Sequence, residues 1–271
     1  MLPTDIQTIL AGYGSCVVAV SGGVDSLLLA VAAHRTLGRR AFPVHAASPA
    51  VPAADAARIR ETARAEGFAV REVDAGEMRD PRYLENPVDR CYHCKSRLYA
   101  ALAGIAREAG AAVIASGTNR DDLSDYRPGL VAAREAGVRH PFVEAGMDKA
   151  AIRAMARDLG LPFADAPASP CLASRIHTGT AVTPERLAAV DAAEELVRER
   201  CGLSVVRCRI EGDAARLEVA PEVLHDPGAR AGLMAAVAEV GRLFAARFPF
   251  LATVDLDPRG YARGRAFVGK P

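Results

Sequence analysis

The sequence predicts an α/β fold in which a doubly wound parallel sheet is followed by a smaller α+β domain. Two observations support this prediction. In the N-terminal part of the chain, short apolar runs alternate with longer segments of helical periodicity, as parallel strands do with their crossover helices. Beyond Thr183 this alternation gives way to one long helix and a pair of adjacent strands. We therefore expect two domains, over residues 1–167 and 168–271.

The first domain is predicted to contain four strands, each an apolar run bounded by glycine, proline or polar residues. They cover 16–20, 41–47, 68–73 and 112–118. The early Pro43 marks the second of them as an edge strand or as the start of a strand. Helical periodicity predicts the helices that follow these strands, over 27–33, 55–67, 95–109 and 149–159.

The proline-rich segment over 161–170 is predicted to be the crossing between the two domains. Thr183 can cap the long helix that follows, because its hydroxyl can accept a backbone N–H bond and Pro184 suits the first turn. The turn Glu211-Gly212-Asp213 separates two short strands, as in a hairpin. The elements expected here are helices and strands over 184–201, 205–210, 215–220, 232–246 and 253–256.

The overall charge is close to neutral, with 34 basic and 33 acidic residues, so the composition gives no sign of a nucleic-acid partner. No apolar stretch approaches the roughly 20 residues of a membrane span, and the first residues lack the pattern of a signal peptide. We therefore expect a cytoplasmic protein without a membrane partner. In that reducing compartment, six cysteines favour metal, redox or catalytic roles at some positions over structural disulfides.

The segment Ser21-Gly22-Gly23-Val24-Asp25-Ser26 lies between the first predicted strand and its helix. Such a turn presents unpaired backbone N–H groups and the positive end of the helix dipole to an anion. Glycines allow close approach to phosphates, and serine hydroxyls add donors. The spacing differs from a Walker A loop. An ordinary glycine-rich turn is the alternative interpretation.

A second strand-end loop, Gly117-Thr118-Asn119, follows the fourth predicted strand. In parallel sheets, ligands bind beyond the carboxyl ends of the strands, so both loops are expected at the same edge. Their convergence favours a nucleotide site.

The pair Cys91-Tyr92-His93-Cys94 has a spacing suited to one metal ion or cluster, just before a predicted helix. A redox pair, half of a zinc site, part of an iron-sulfur site and two unrelated thiols all remain open interpretations. Cys171 is the more interesting candidate for a third ligand. The other cysteines lie in predicted strands and helices and are interpreted as small buried residues: Cys16, Cys201 and Cys208.

Two resemblances become visible on these residues. The loop at 21–26 resembles the PP-loop of the ATP pyrophosphatases. Further motifs, in the same order along nearly the whole chain, resemble the LarE sulfur transferases: Asn86-Pro87, Arg90-Cys91-Tyr92, Cys94-Lys95, Gly117-Thr118-Asn119 with Asp122, Arg127-Pro128-Gly129, Pro170-Cys171-Leu172-Ala173-Ser174-Arg175 and Ala215-Arg216-Leu217-Glu218-Val219.

The resemblance implies an ATP-dependent sulfurtransferase that adenylylates a carboxylate of pyridinium-3,5-biscarboxylic acid mononucleotide and replaces it with a thiocarboxylate, a step towards the nickel-pincer nucleotide cofactor. It implies that ATP is bound by the residues of both loops, with Asp25 near Mg²⁺. These residues are Ser21, Gly22, Gly23, Val24, Asp25, Ser26, Gly117, Thr118 and Asn119.

The family divides by sulfur source. In one branch a cysteine matching Cys171 gives up its own sulfur, and in the other three cysteines hold a 4Fe-4S cluster that carries the sulfide. Cys91, Cys94 and Cys171 are all present, so we favour the cluster branch. The resemblance further implies sulfide or a sulfur-donor protein as partner and a homo-oligomer, with a hexamer as one form.

Cationic residues are expected to bind the substrate. Arg207 and Arg209 alternate along one strand, so both would project from one face and match phosphate-binding arginines of the family. A solvated strand face is the alternative. Arg175 is a catalytic candidate that could steady the carboxylate or its adenylate, with Arg127 as a weaker one. Glu194 and Glu195 are considered for an acidic site residue, and Glu195 is the one we include, as a weaker candidate. A solvent-facing position on the long helix is the alternative.

Two rival functions remain. A PP-loop tRNA thiolase also combines this loop with cysteines, but it would need an RNA-binding surface, which the sequence does not indicate. A nucleotide sensor or cluster carrier without catalysis is the second rival, and the complete loop with three site cysteines argues against it.

Overall fold

A computed structural model describes residues 2–124, 128–262 and 264–266. The chain forms two compact units. The first comprises Met1–Asp80 and Asp89–Ser169, and the second comprises Pro81–Val88 and Pro170–Pro271. The sequence suggested one boundary near residue 167 and did not assign the short segment 81–88 to the second unit.

Seven strands and eleven α-helices are found in the described residues. In chain order they are α1 (Thr4–Tyr13), β1 (Cys16–Val20), α2 (Val24–Leu37), β2 (Ala41–Ala46), α3 (Ala53–Glu66), β3 (Arg71–Val73), α4 (Pro81–Leu84), α5 (Arg90–Ala109), β4 (Val113–Ser116), α6 (Pro128–Glu135), α7 (Pro141–Glu144), α8 (Lys149–Asp158), α9 (Pro184–Cys201), β5 (Val206–Glu211), β6 (Ala214–Val219), α10 (Pro221–His225), α11 (Pro227–Arg247) and β7 (Thr253–Leu256). None of the helices described here is both long and apolar enough to cross a membrane.

The first unit is built on a parallel sheet with the strand order β3-β2-β1-β4. The chain moves from β1 outward to β3 and then returns to place β4 on the other side of β1. This reversal creates a crevice between the carboxyl ends of β1 and β4, which is where ligands bind in open α/β sheets. Both strand-end loops predicted to bind a nucleotide emerge there.

Helices cover both faces of this sheet, as the sequence predicted. Cys16, Val18 and Val20 of β1 pack in one core with side chains of α1, α2 and α8. Val17, one residue out of phase, packs in a second core with α5 and α6. This alternation follows the two-residue period of a strand. Burial of each large apolar side chain in these cores stabilises the fold by about 1.5–3 kcal/mol.

Several predicted boundaries in the first unit differ from the structure, and two of these differences have a clear physical reason. The third strand is limited to Arg71–Val73, because Phe68 closes the end of α3 through its N–H bond to Ala63 O and joins the core. Helix α5 begins at Arg90 rather than at residue 95. Its first turns contain residue types of modest helix propensity, which concealed the start. The cysteine pair therefore lies inside the helix and not before it.

The proline of β2 is explained by the pairing of its neighbours. β2 is an internal strand, but β3 pairs only with Val44–Ala46. Pro43 pairs in register with Val18 of β1 and lies outside the stretch that β3 covers. Its missing N–H is therefore tolerated where one side of the strand is open.

The second unit contains a three-stranded sheet in the order β5-β6-β7. β5 and β6 form the predicted antiparallel hairpin, and β7 pairs parallel to β6. Helix α9 starts at the predicted cap, since Thr183 Oγ1 accepts a bond from Arg186 N at 3.2 Å. Helix α11 begins earlier than residue 232, because Asp226 accepts from Gly228 N at 2.9 Å and caps an extra turn.

Segment 81–88 is fixed in the second unit by Asn86. Its side-chain Nδ2 donates to Ile176 O, His177 O and Thr180 O at 3.3, 2.7 and 2.9 Å. Asn86 is 1% exposed and has φ +56°, a left-handed conformation that asparagine tolerates better than most residues. One amide therefore holds the turn that follows the Cys171 segment.

We predict that Asn86→Ala lowers the free energy of unfolding by about 1–3 kcal/mol, because buried carbonyls lose their donor. Chemical denaturation measures this loss. Asn86→Gly removes the same bonds but adopts a positive φ without strain, so it should be no more destabilising than the alanine variant. An alanine variant as stable as the wild type would contradict this role.

Candidate active site

The start of α2 leaves several backbone N–H groups without an intrahelical partner. The first helical bond runs from Leu27 N to Gly23 O at 3.0 Å, so the N–H groups of the preceding helical residues have no intrahelical acceptor. Gly23 occupies the N-cap position and provides no side-chain cap. This end of α2 thus combines backbone donors that lack an intrahelical acceptor with the positive end of the helix dipole.

The two serines of the loop bond to each other and to the backbone. Ser26 Oγ donates to Gly23 O at 3.0 Å and accepts from Ser21 N at 3.0 Å. Since the only hydroxyl proton of Ser26 is used in this way, the 3.1 Å contact with Ser21 Oγ is a bond donated by Ser21. The hydroxyls predicted to bind a ligand therefore also fix the shape of the loop.

Gly117 lets the loop after β4 lie directly against the start of α2. A Cβ atom at this position would lie 2.8 Å from Asp25 C and from Ser26 N. These are backbone atoms, which cannot move aside as a flexible side chain could. The structure therefore brings together the two loops that the sequence predicted to converge, and a glycine makes the contact possible.

Asn119 links the two loops chemically. Its side chain is fully buried, and Nδ2 donates to Asp25 Oδ2 at 3.0 Å. Oδ1 of Asn119 accepts from Asp121 N at 3.0 Å and from Asp122 N at 3.3 Å. The amide can therefore present only its NH₂ group to Asp25, which fixes one carboxylate oxygen and leaves the other available.

The second carboxylate oxygen of Asp25 lacks a partner within the described part of the structure and is a candidate ligand for a metal ion. Asp25 Oδ1 is buried and has no hydrogen-bond partner among the described residues. Burial raises the pKa of Asp25, while Lys149 Nζ, 3.8 Å from Oδ2, acts in the opposite direction. A carboxylate oxygen without a partner, next to phosphate-binding donors, fits the oxygen ligands that Mg²⁺ prefers.

Three residues around these loops were not identified from the sequence. Lys149 begins α8, and Arg58 of α3 donates to Gly22 O at 2.7 Å. His140 Nδ1 lies 2.9 Å from Ser116 Oγ, which in turn lies 3.0 Å from Thr118 Oγ1. Burial lowers the pKa of His140 and favours its neutral form. No local motif marks these side chains, because distant segments bring them to the site.

The cysteine pair lies in the first turns of α5. Cys91 and Cys94 are separated by three positions, so they share one face of the helix, and both are partly exposed. His93 Nε2 lies 3.7 Å from Asp89 Oδ2. Gly129 packs against this turn, since a Cβ there would lie 3.6 Å from Cys91 O. Arg127, of the same motif, lies outside the described residues.

Cys171 is in the second unit and is exposed, directly before the short 3-10 helix Leu172–Arg175. Arg175 lies beneath it and is 1% exposed. Its Nη1 donates to Pro170 O and, at 3.2 Å, to Cys171 O. The guanidinium therefore holds the carbonyl groups of the two peptides that flank Cys171.

Glu194 of α9 holds Arg175 in a two-point ion pair. Arg175 Nε and Nη2 donate to its two carboxylate oxygens at 2.8 and 3.0 Å. Glu194 is fully buried and also accepts from Arg198 and from Cys208 N. Glu195 is exposed. Of the two glutamates considered from the sequence, Glu194 is the one connected to the Cys171 segment.

The two arginines of β5 are buried rather than solvated. Arg207 and Arg209 are each 7% exposed, so the alternative of a solvated strand face is wrong. Arg209 Nε donates to Glu218 at 3.1 Å and Nη1 donates to Ser174 O at 2.9 Å. Burial lowers the pKa of Arg207, which lies 5.3 Å from the ring centre of Tyr261.

No group of three or more His, Cys, Asp or Glu side chains in the described ranges is arranged to hold a metal ion. Cys91 and Cys94 belong to the first unit and Cys171 to the second.

Adjacent glutamates of α9 provide a matched pair of variants. We predict that Glu194→Ala lowers the free energy of unfolding by about 3–5 kcal/mol, because it leaves buried guanidinium charge uncompensated. Glu195→Ala, at an exposed position, should change it by less than about 0.5 kcal/mol. Urea denaturation of both variants provides the comparison, and similar effects in the two would contradict this assignment.

Comparison of the sequence with known proteins assigns the chain to a family. No family model matches the chain. An uncharacterized protein from Synechocystis is 38% identical over 268 residues, which cover 98% of this chain and 97% of that protein. A subunit of the glutamine-hydrolyzing GMP synthase from Thermococcus kodakarensis is 29% identical over 69% of this chain and 65% of its own length.

The pyridinium-3,5-bisthiocarboxylic acid mononucleotide synthase of Lactiplantibacillus plantarum is 36% identical over 203 residues. The match covers 74% of this chain and 73% of that protein. Together these relatives support an ATP-using PP-loop enzyme. The chain belongs to the pyridinium-3,5-bisthiocarboxylic acid mononucleotide synthase (LarE) family.

Proposed function

We propose that this protein is an ATP-dependent sulfurtransferase that converts a carboxylate of pyridinium-3,5-biscarboxylic acid mononucleotide into a thiocarboxylate, in the biosynthesis of the nickel-pincer nucleotide. One observation carries the proposal: the similarity to the synthase of Lactiplantibacillus plantarum extends over about three quarters of both chains. The loop chemistry of the first unit and the Cys171 segment of the second support the two halves of such a reaction.

Activation of the carboxylate is assigned to the first unit. A carboxylate oxygen of the substrate attacks the α-phosphorus of ATP, and the bond to the bridging oxygen of pyrophosphate breaks. The N–H groups at the start of α2 stabilise the negative charge that develops on pyrophosphate. Asp25 Oδ1 would bind Mg²⁺, which supplies further charge neutralisation at the phosphates when it is bound.

Sulfur transfer follows on the acyl adenylate. A sulfur nucleophile attacks the carbonyl carbon, the bond to the AMP oxygen breaks, and AMP leaves with the electron pair. With hydrogen sulfide ion as the nucleophile, the products are thiocarboxylate, AMP and one proton. Cys171 supports this step because its side chain is exposed while its backbone is fixed by Arg175. In this role Arg175 positions the cysteine segment.

A concentration of positive charge in the second unit supports binding of the substrate phosphate. Three buried carboxylates, Glu194, Glu218 and Asp257, have more arginines around them than they can neutralise. Six arginines surround these three carboxylates: Arg175, Arg198, Arg207, Arg209, Arg259 and Arg265. Of these six, we assign Arg207 and Arg209 to the substrate phosphate.

For the sulfur source we propose the three-cysteine branch. Cys91, Cys94 and Cys171 would hold a 4Fe-4S cluster, and three thiolates leave one iron open, where such a cluster carries exchangeable sulfide. The pair on one face of α5 supports this assignment. Sulfide or a sulfur-donor protein would then replenish the sulfur, and we expect the enzyme to act in the cytoplasm as a homo-oligomer.

The reaction itself provides the first test. With ATP, Mg²⁺ and the biscarboxylate nucleotide, the protein should release pyrophosphate and AMP and form thiocarboxylate, as measured by chromatography and mass spectrometry. Cys171→Ala should still form the adenylate but lose thiocarboxylate formation. Cys201→Ala, a cysteine at the end of α9, should keep both steps. Persistent thiolation by Cys171→Ala, or stimulation by transfer RNA, would contradict the proposal.

The iron content tests the sulfur source. Protein purified without oxygen should contain iron and sulfide and show broad visible absorption, and Cys91→Ala and Cys94→Ala should each lose this absorption. Cys16→Ala, in the buried strand β1, serves as the control and should retain it. An iron-free protein that transfers one sulfur per chain, with dehydroalanine left at position 171, would establish sacrificial transfer instead.

A further inference from the structure

We propose that Arg58 is a positioning residue for the phosphate-binding loop. By holding the carbonyl of Gly22, it directs the N–H of Gly23 towards the bound phosphates. This inference rests on the proposed use of ATP by the first unit. It concerns a side chain on α3 that belongs to neither of the two loops predicted from the sequence.

The contacts of Arg58 are short and mutually supportive. Its Nη1 donates to Gly22 O at 2.7 Å and to Asp55 Oδ1 at 2.7 Å. Asp55, one turn earlier on α3, is 2% exposed, while the Arg58 side chain is 23% exposed. The buried carboxylate therefore fixes the direction of the guanidinium, and the guanidinium fixes the carbonyl.

The geometry of a trans peptide transmits this contact to the neighbouring residue. The carbonyl of Gly22 and the N–H of Gly23 belong to one peptide plane and point in opposite directions. The chain has no cis peptide among its described bonds. Because Gly22 O faces Arg58 on α3, the Gly23 N–H must point away from α3. In the described part of the chain this N–H has no acceptor, so it is available to an anion.

A peptide between two glycines especially needs such an anchor. Glycine accepts both signs of φ, so the Gly22–Gly23 peptide could rotate and turn its carbonyl towards the phosphates at little steric cost. Gly22 has φ +83° and is pressed against α3, since a Cβ there would lie 2.7 Å from Asp55 Cβ and Asp55 O. This packing brings the loop within reach of Arg58. The ion-paired guanidinium then selects one of the two peptide orientations.

Loss of the Arg58 contact should affect only ligands that carry the phosphates bound by the loop. Loss of the anchor should weaken binding of pyrophosphate and ATP by about tenfold, the value of one hydrogen bond to a charged group. AMP has no β- or γ-phosphate and should bind unchanged. A general loss of structure would weaken both ligands equally.

Titration calorimetry with magnesium pyrophosphate, ATP and AMP tests this on the full-length protein. Arg58→Ala should lose about tenfold in affinity for pyrophosphate and ATP, whereas Arg58→Lys, which can still donate to Gly22 O, should recover most of it. Arg60→Ala is the matched control. Arg60 lies on the same helix, is 58% exposed and is 3.8 Å from Glu72, so its removal changes the charge without touching the loop.

The amide resonance of Gly23 separates positioning from direct contact. In nitrogen-15 spectra, saturating pyrophosphate should shift this resonance in the wild type and in Arg58→Lys, but not in Arg58→Ala. A Gly23 shift that persists in Arg58→Ala, together with weakened pyrophosphate binding, would mean that Arg58 contacts phosphate itself and would overturn the proposal. Unchanged pyrophosphate affinity in Arg58→Ala would also overturn it.

Two further outcomes are distinguishable. If Arg58→Ala does not fold, Arg58→Lys decides: it must keep both the affinity and the Gly23 shift, and loss of the shift in a folded protein overturns the proposal. A wild-type protein that binds neither ATP nor pyrophosphate would contradict the proposed function as well. Wild-type binding with an unaffected Arg58→Ala would contradict the role of Arg58 alone.

Discussion

The candidate nucleotide site depends on the pairing of β4 with β1. This pairing places Gly117 against the backbone of Asp25 and Ser26, closer than any side chain would allow. At that separation Asn119 reaches Asp25, and one carboxylate oxygen is fixed while the other is left open. Sheet topology therefore places the N–H groups at the start of α2 and Asp25 Oδ1 at the same edge of the sheet. This arrangement is already formed without a ligand.

One of the buried carboxylates of the second unit has a comparable role. Glu194 gathers Arg175, Arg198 and the N–H of Cys208 around itself. Burying a charge is costly, and the cost is offset only when the partners are well aligned, which makes the arrangement rigid. Arg175 transmits this rigidity to the backbone on either side of Cys171. The exposed thiol therefore lies on a segment that is held both by Arg175 and by the buried side chains of Leu172 and Ala173.

Local features of the site could be predicted from the sequence, and long-range contacts could not. The strand, glycine turn and helix around residues 16–33 are specified by neighbouring residues, and Thr183 caps α9 as expected. Arg58 and Lys149 reach the loop only through the packing of α3 and α8, for which no local pattern exists. The choice between Glu194 and Glu195 depends on about 100° of helical rotation. Small apolar residues occur on several sides of α9, so the sequence does not show which side of the helix faces the core.

The protonation state of a thiol affects whether the cysteine can transfer sulfur or bind a metal cluster, because the thiolate is the reactive form. Burial raises the pKa of Cys16 to about 12 and that of Cys208 still further, and it also raises the pKa of Cys201. Burial therefore disfavours the thiolate most strongly at Cys16 and Cys208, which lie in the cores of their units. Cys171 is exposed, and Cys91 and Cys94 are partly so. Burial thus sets Cys16 and Cys208 apart from the cysteines of the motifs, as the sequence predicted. Cys201 is as partly exposed as Cys91 and Cys94, so its interpretation as a buried residue is wrong.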